Sequence, residues 1–407
     1  MTTTSTTPVG TTRPIGPAVV SPLSGPPARA LIVCLLLLIS SVAWRKGTYF
    51  SGGLDVVVLG KAALGLLALA LAATAPRRGT PWTRLPVGPL PWLALYLCIT
   101  TLGAALHDSG FPTSVLVARV LIISMTVVFL VRAYPTGALL TALTSAMLLL
   151  AAFASLTGVG SLAGGRLYGG LPPLNANEIS LLVSVPLVCV MWRCVHRLAT
   201  WRDVALVLPA LGVIWLTGTR TGLVALALAV VALVMMAPRI PVPMFCCGVL
   251  AAPLLLFVLF STPLLSSYAT RGDSASLLTL NSRTVAWNAA LDYSETVPAQ
   301  VLGVGLAVKR IPVSAMYRDD QILDSTWVSA FVQAGVAGTV VLALLVAFAV
   351  GRAAISSPPT RSLAVAILVL LLARSLLESG LFDASPSFIT FLCVALTVGR
   401  PRRQETP

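Results

Sequence analysis

Charge is scarce in this chain. Only 10% of its 407 residues are Asp, Glu, Lys or Arg, against roughly 25% in soluble domains. Acids are the rarest of these, 13 against 27 basic residues, and there are 2 histidines, His107 and His196. So little charge excludes an ordinary soluble surface. Cys34, Cys98, Cys189, Cys194, Cys246, Cys247 and Cys393 lie in or beside apolar runs, without CxxC or Cys/His ligand spacing. That excludes a disulfide framework or zinc-type site and leaves small buried hydrophobes. The net charge of +14 is not a nucleic-acid footprint. Basic residues come singly or in twos and threes at the ends of apolar runs, and no basic face is interleaved with aromatics.

What is present is apolar: 57% of residues, with a mean hydropathy of +0.94. Apolar runs of membrane-spanning length recur from Ala30 to Val398. The fold class expected is all-α, a polytopic transmembrane helical bundle. Residues 1–28, rich in Thr, Pro, Ser and Gly without periodicity, read as a disordered cytoplasmic tail. "SVA" at Ser41–Ala43 resembles a signal-peptidase site, but the preceding region is long and barely charged, so an uncleaved first helix is expected. Expected spans are 28–44, 54–75, 88–106, 115–131, 137–156, 178–195, 203–218, 221–237, 244–262, 325–350, 362–380 and 385–399, about twelve in all. The chain divides into nine spans within 29–262, a large extracytoplasmic loop at 263–324, three spans within 325–399 and a basic cytoplasmic tail at 400–407. With the N-terminus inside, Arg77, Arg78, Arg84, Arg132, Arg193, Arg197, Arg202, Arg239, Arg352 and Arg361 fall on cytoplasmic connections, as the positive-inside rule requires.

The long outer connections are 157–177 and 263–324; the second is expected to be partly helical, with Gly and Pro breaks, and a loop of about 60 residues in a compact membrane protein is usually functional. Arg220, in "WLTGTRTGLVAL", lies in a tight outer turn between Gly218 and Gly222. A charge at bilayer depth costs about 3 kcal/mol on insertion scales, so this one is either a snorkelling anchor or a ligand group. The outer face also collects Arg166, Arg271, Arg283, Lys309, Arg310 and Arg318, with Asp273, Asp292, Glu295, Asp319, Asp320 and Asp324. Glu378 is expected near the outer end of its span, with Arg374 one turn earlier as partner. Arginine forks match phosphate oxygens bidentately. A lipid diphosphate, its isoprenoid tail between helices, is the ligand that suits them.

The order "GGRLYGGLPPLNANEISLLVSVPL", "LTGTRTG", "NSRTVAWNAAL…VLGVGL", "DSTWVSAFVQAGVAG", "LLESGL", spanning Arg166 to Gly380, resembles the O-antigen ligase and polymerase superfamily. The resemblance implies a GT-C-like membrane glycosyltransferase that transfers or polymerises a glycan from a polyprenyl-diphosphate carrier. The acceptor would be a hydroxyl of a glycan or lipid-linked acceptor, at the outer face of the bacterial cytoplasmic membrane. It implies a lipid-diphosphate site at Arg220 and Arg283, with Arg166, Asn175, Trp287, Gly303 and Gly305 as matching substrate-site positions. Lys309, Arg310 and Glu378 complete the candidate substrate-binding set. Family ligases often carry a histidine before the span that follows the large loop. Here that place reads "LDSTW", which makes Asp324 the candidate carboxylate base, with helix capping as its structural alternative. Fixed guanidinium groups would stabilise the departing diphosphate. No metal and no other cofactor are expected, and Asp319–Asp320 read as a solvated loop. The expected partners are the lipid-linked donor, the acceptor and membrane lipids, without nucleic acid. A transporter or flippase of a lipid-linked glycan or small solute is the alternative function, and a membrane scaffold a third. A transporter should show an inverted repeat, charged residues at midplane or broken helices in matching positions. No repeat is visible, and Lys61, Arg119 and Arg374 are the basic residues well inside spans.

Overall fold

The computed structural model describes residues 25–45, 53, 55–76, 88–237, 287–293, 296–312 and 320–398. They are mostly helical: α1 Ala28–Ser41, α2 Val56–Ala73, α3 Leu90–Leu106, α4 Gly110–Ala133, α5 Thr136–Thr157, α6 Ala176–Val195, α7 Trp201–Leu216 and α8 Arg220–Met235. After the large loop come the short α9 Val297–Leu302, then α10 Thr326–Ala354, α11 Pro358–Ser375 and α12 Pro386–Val398. A 3-10 helix at Val159–Gly164 follows α5, and β1 Arg310–Pro312 pairs antiparallel with β2 Asp320–Ile322.

Every expected span except 244–262, which lies outside the described residues, coincides with a helix. Six of the described helices, α2, α4, α5, α6, α10 and α11, are long and apolar enough to cross a membrane. The chain is thus a multi-pass membrane protein. Helices α1, α3, α7, α8 and α12 run only 13 to 17 residues, short of the roughly 20 that a bilayer needs.

Leu- and Ala-rich runs favour these helices, and hydroxyls inside them turn inward. Thr126, Thr141, Thr144 and Thr390 each donate to the carbonyl one turn earlier at 2.7–2.8 Å, which satisfies these four hydroxyls in an apolar setting. Some helix starts are capped by side chains. Asp55 Oδ1 accepts from Val58 N–H at 2.8 Å, and Thr200 and Asp203 form a capping box on α7.

The bundle is layered by burial. Along α2 only Gly65, Ala68 and Ala72 are buried, so most of its surface is left for lipid. Helix α12 is buried almost all round, from Pro386 to Val398 with only Ser387 outside that set, and is a central helix. Phe388 and Phe391 fill the core beside it. Helix α11 lies along α8, α10 along α3, and α6 touches α5, α7 and α8. At the end of the bundle where α6 stops and α7 starts, Arg193 Nε meets Asp203 Oδ2 at 3.2 Å, and Arg193 Nη2 donates to Leu198 O at 2.6 Å. Asp203 is wholly buried there.

Helix α10 is broken. Gly335 has φ 64°, ψ −167°, a combination open essentially to glycine. The break frees carbonyls that an unbroken helix would use. Val332 O accepts from Val304 N–H and Gln333 O from Gly305 N–H, both at 3.0 Å. Gly303, at φ 73°, ψ −173°, makes the matching turn on the other side. A Cβ on Gly303 would stand 2.3 Å from Ala334 N, and one on Gly335 2.3 Å from Val301 O. The "LGVG" segment is therefore docked backbone to backbone into the gap in α10. Irregular backbone in a membrane protein needs such internal partners.

Candidate functional site

One end of the bundle gathers the connections that carry the candidate residues. Leu167 N–H donates to Leu216 O at 2.9 Å, tying the α5–α6 connection to the α7–α8 turn. Ser109 Oγ donates to Val304 O at 2.5 Å, and Thr326 Oγ1 donates to Glu378 O at 2.8 Å. These bonds join the α3–α4 turn to the loop before α10, and α10 to the α11–α12 connection.

Arg166 and Arg220 come to the same turn. Arg166 Nε donates to Thr217 O at 3.0 Å, and its guanidinium lies 5.6 Å from the Tyr168 ring centroid. Its side chain crosses Gly218, whose φ of +61° makes the tight turn: a Cβ there would lie 3.4 Å from Arg166 Nε. Arg220 is the first residue of α8, two positions further on, with Thr219 as N-cap. Close behind, Gly222 lets α8 approach α6, since a Cβ there would overlap Ser180 Oγ. Arg283 lies outside the described residues, as do Arg271, Asp273, Glu295, Arg318 and Asp319, so the expected meeting of Arg220 with Arg283 falls outside them too. Trp287 begins a helical stretch over 287–292.

Asn175 is the N-cap of α6 in a capping box with Glu178, whose Oε2 accepts from Asn175 N–H at 3.0 Å. A carboxylate in the first turn also suits the positive end of the helix dipole. Between Glu378 and Arg374 stands Asn177, a residue that sequence reasoning missed. Its Nδ2 donates to Glu378 Oε1 at 2.5 Å, and its carbonyl accepts from Arg374 Nη2 at 2.8 Å. Helix α11 ends at Ser375, so Glu378 lies beyond the helix, in the turn. Arg119 does not reach for the surface. Its Nη2 donates to Ser40 O and Ser41 O at 2.5 and 3.2 Å, closing the C-terminal end of α1.

Asp324 sits just before α10, but the N-cap is Ser325. The "DSTW" capping reading is thus displaced by one residue, and Asp324 is half-buried beside the helix start. Arg310 is exposed on β1. Gly303 and Gly305 serve the interlock with α10 described above. Lys309 pairs with Asp383, Nζ to Oδ2 at 2.7 Å. Burial alone would raise the Asp383 carboxyl. The Lys309 charge and hydrogen bond outweigh burial, helped by Arg119 and the Ala384 N–H, and hold it below the usual carboxylate range. Asp383 too was missed. The signal available was its place as the one acid between the last two expected spans.

Fold and site together define a multi-pass helical membrane protein with cationic and polar groups collected at one end. Residues 204–343 match the family model described as O-Antigen ligase, which supports the O-antigen ligase and polymerase superfamily. The match starts in α7 and ends within α10. It contains Arg220, Arg283, Trp287, Gly303, Gly305, Lys309, Arg310 and Asp324; Arg166, Asn175 and Glu378 lie outside it. No curated protein matches the chain.

Proposed function

We propose that the chain is a membrane glycosyltransferase that moves or polymerises a glycan from a polyprenyl-diphosphate carrier onto an acceptor hydroxyl. In this reading it is GT-C-like, crosses the bacterial cytoplasmic membrane about twelve times and works on the outer face. The observation that carries the reading is the pair of arginines at one turn, Arg166 laid over Gly218 and Arg220 opening α8, with Arg220 inside the O-antigen ligase match. Two guanidinium groups at a membrane surface suit a diphosphate. They favour the departure of a leaving group that gains negative charge, with Arg283 as the third donor. Asp324, at the mouth of α10, takes the acceptor proton. The transfer inverts the anomeric centre because one nucleophile displaces one leaving group, and the step uses no metal.

The test is a transfer assay on the purified chain with its lipid-linked donor. Arg220→Lys keeps charge but loses the fork, so the rate should drop about tenfold or more, the worth of one charge-assisted contact. Asp324→Asn should cost roughly 10²–10⁴ in turnover with unchanged thermal stability. Full transfer by Arg220→Lys would make the arginine a topological anchor. Among the described residues, the break in α10 at Gly335 favours a transporter or flippase, since broken helices line transport sites. Flipping of lipid-linked glycan in vesicles with no new glycosidic bond would establish that alternative.

A further inference from the structure

Two cations of the bundle stand near each other with no carboxylate bonded to either among the described residues. The buried stripe of α2 runs through Gly65, Ala68 and Ala72, and the same helical spacing carried one turn earlier reaches Lys61. Gly65 packs on α4, where a Cβ would lie 3.4 Å from Ile122 Cγ2. Arg119 lies one turn before Ile122, so Lys61 and Arg119 stand at the same end of the α2–α4 seam. Lys61 is half-buried and makes no hydrogen bond or ion pair among the described residues. Arg119 gives Nη2 to Ser40 O and Ser41 O, while its Nε is buried without a partner. The carboxylates within electrostatic reach of Lys61 are Glu178, Asp383 and Asp55, and each is engaged elsewhere. Asp55 is paired with Arg45 and Asp383 with Lys309, both at 2.7 Å, and Glu178 accepts from Asn175 N–H at 3.0 Å. The charge that acts most strongly on Lys61 is the like charge of Arg119.

Like charges side by side in an apolar setting repel, and an ionisable residue within a span points to a site. A lysine that merely snorkelled would sit on the lipid side of α2, whereas Lys61 sits on the packed side. What the pair lacks is an anion with several acceptor oxygens. The level in the bundle suits a lipid headgroup. Trp44, whose ring lies against Gly60, is of the residue type that gathers at the membrane interface, and the Arg45–Asp55 pair lies exposed beside it. Most of the surface of α2 is left for lipid. We infer that Lys61 and Arg119 form a binding site for the phosphate of a membrane lipid, held at the α2–α4 seam with its chains along the lipid-facing side of α2. The phosphate oxygens take the Lys61 ammonium and the Arg119 donors that have no partner. This site uses other helices than the Arg166–Arg220 turn and stands without the glycan-transfer reading.

Arg119 closes the end of α1 and its removal can unfold the chain, so Lys61→Met is the decisive variant. It deletes a charge that no described residue pairs with, and the thermal midpoint in detergent without phosphate should be unchanged or higher. The full chain is titrated in detergent with phosphatidylglycerol, with polyprenyl monophosphate and with diacylglycerol as the phosphate-free control, and binding is read by native mass spectrometry. The thermal midpoint is followed with each lipid and with inorganic phosphate. The expected result is that one phosphate lipid binds about tenfold more tightly than diacylglycerol and raises the midpoint. Lys61→Met should weaken it about tenfold, the worth of one charge-assisted contact, and Lys61→Arg should retain it. Whichever phosphate lipid shows this dependence on Lys61 is the source of the phosphate. The inference is overturned if neither outbinds diacylglycerol, if Lys61→Met binds as well as the parent, or if inorganic phosphate alone raises the midpoint in a Lys61-dependent way. Should Lys61→Met not fold, Lys61→Glu decides. Its carboxylate meets Arg119 in place of the phosphate, so the chain should stand without lipid and lose the lipid-induced rise; a rise that persists overturns the site.

Discussion

Replacing Gly303 by alanine tests the interlock that positions the loop before α10. The backbone there sits at φ 73°, ψ −173°, and a non-glycine residue at positive φ costs about 1–2 kcal/mol before any contact is counted. The new Cβ would also lie 2.3 Å from both Ala334 N and Gln333 C. These are backbone atoms and cannot rotate away. The loop must therefore lift, which strains the 3.0 Å bonds from Val304 and Gly305 to the carbonyls of Val332 and Gln333. At about 1 kcal/mol each, their loss brings the total to roughly 3–4 kcal/mol. Gly165→Ala is the control, since that residue also has positive φ, 82°, but nothing within 4 Å of the added carbon. It should lose about 1–2 kcal/mol, the conformational term alone. Tryptophan fluorescence during thermal unfolding in detergent, at one fixed scan rate because membrane proteins often unfold irreversibly, ranks the variants. A Gly303→Ala midpoint equal to or above that of Gly165→Ala would refute the interlock as a stabilising contact.

Other consequences are equally open to measurement. Asp203→Ala leaves Arg193 buried without its carboxylate and opens the α7 capping box, so a loss of roughly 3–5 kcal/mol is expected; a neutral effect in chemical unfolding would contradict the burial. The Asp383 carboxyl is held below its ordinary value of 3.8, so its contribution to stability is complete above about pH 4 and is lost as pH falls through the lower folded value. A thermal midpoint measured from pH 7 to pH 2 should show an acid step below pH 4 that shrinks in Asp383→Asn. Gly164→Cys, open on the α5–α6 connection, should react with an impermeant thiol reagent on intact cells, while Ser356→Cys, after α10, should react only once the membrane is opened. The reverse pattern would invert the topology and place the arginine turn inside.

Much of the fold is legible in the sequence because lipid imposes one strong rule. The apolar runs mark α1 to α8 and α10 to α12 to within a few residues, including the tight turn at Gly218 that separates α7 from α8. Length was harder to read. Helix α12 looks like a span by hydropathy, yet it is short and buried almost all round, and hydropathy does not distinguish a lipid-facing helix from a central one. The site was read in part. Arg166 and Arg220 were both singled out, although the placing of Arg166 over Gly218 goes with a bond between the α5–α6 connection and α7, Leu167 to Leu216, that no local pattern encodes. Asn177 was passed over because an asparagine two positions from the capping Asn175 carries no signal of its own; its role depends on Glu378, 201 positions away. Asp383 shares that difficulty, since it lies on the α11–α12 connection and its partner Lys309 in the loop before α10.

The interlock also sets an order on biogenesis. Gly103 of α3 fits beneath Leu302 O and Gly303 O, where a Cβ would come within 2.4–2.5 Å, and Gly303 fits against Gln333 and Ala334. The loop is thus clasped between a helix made early and a helix made late. Its acceptor carbonyls, Val332 O and Gln333 O, do not exist until the ribosome has passed residue 333, and they remain unavailable until α10 has entered the membrane with its break at Gly335. Through all that time the loop has been synthesised without its seat in α10. A nascent chain arrested before α10 should expose Gly303–Gly305 to protease, and one arrested after it should not. Closure of the polar end of this bundle is therefore a late event of synthesis, timed by the insertion of a single broken helix.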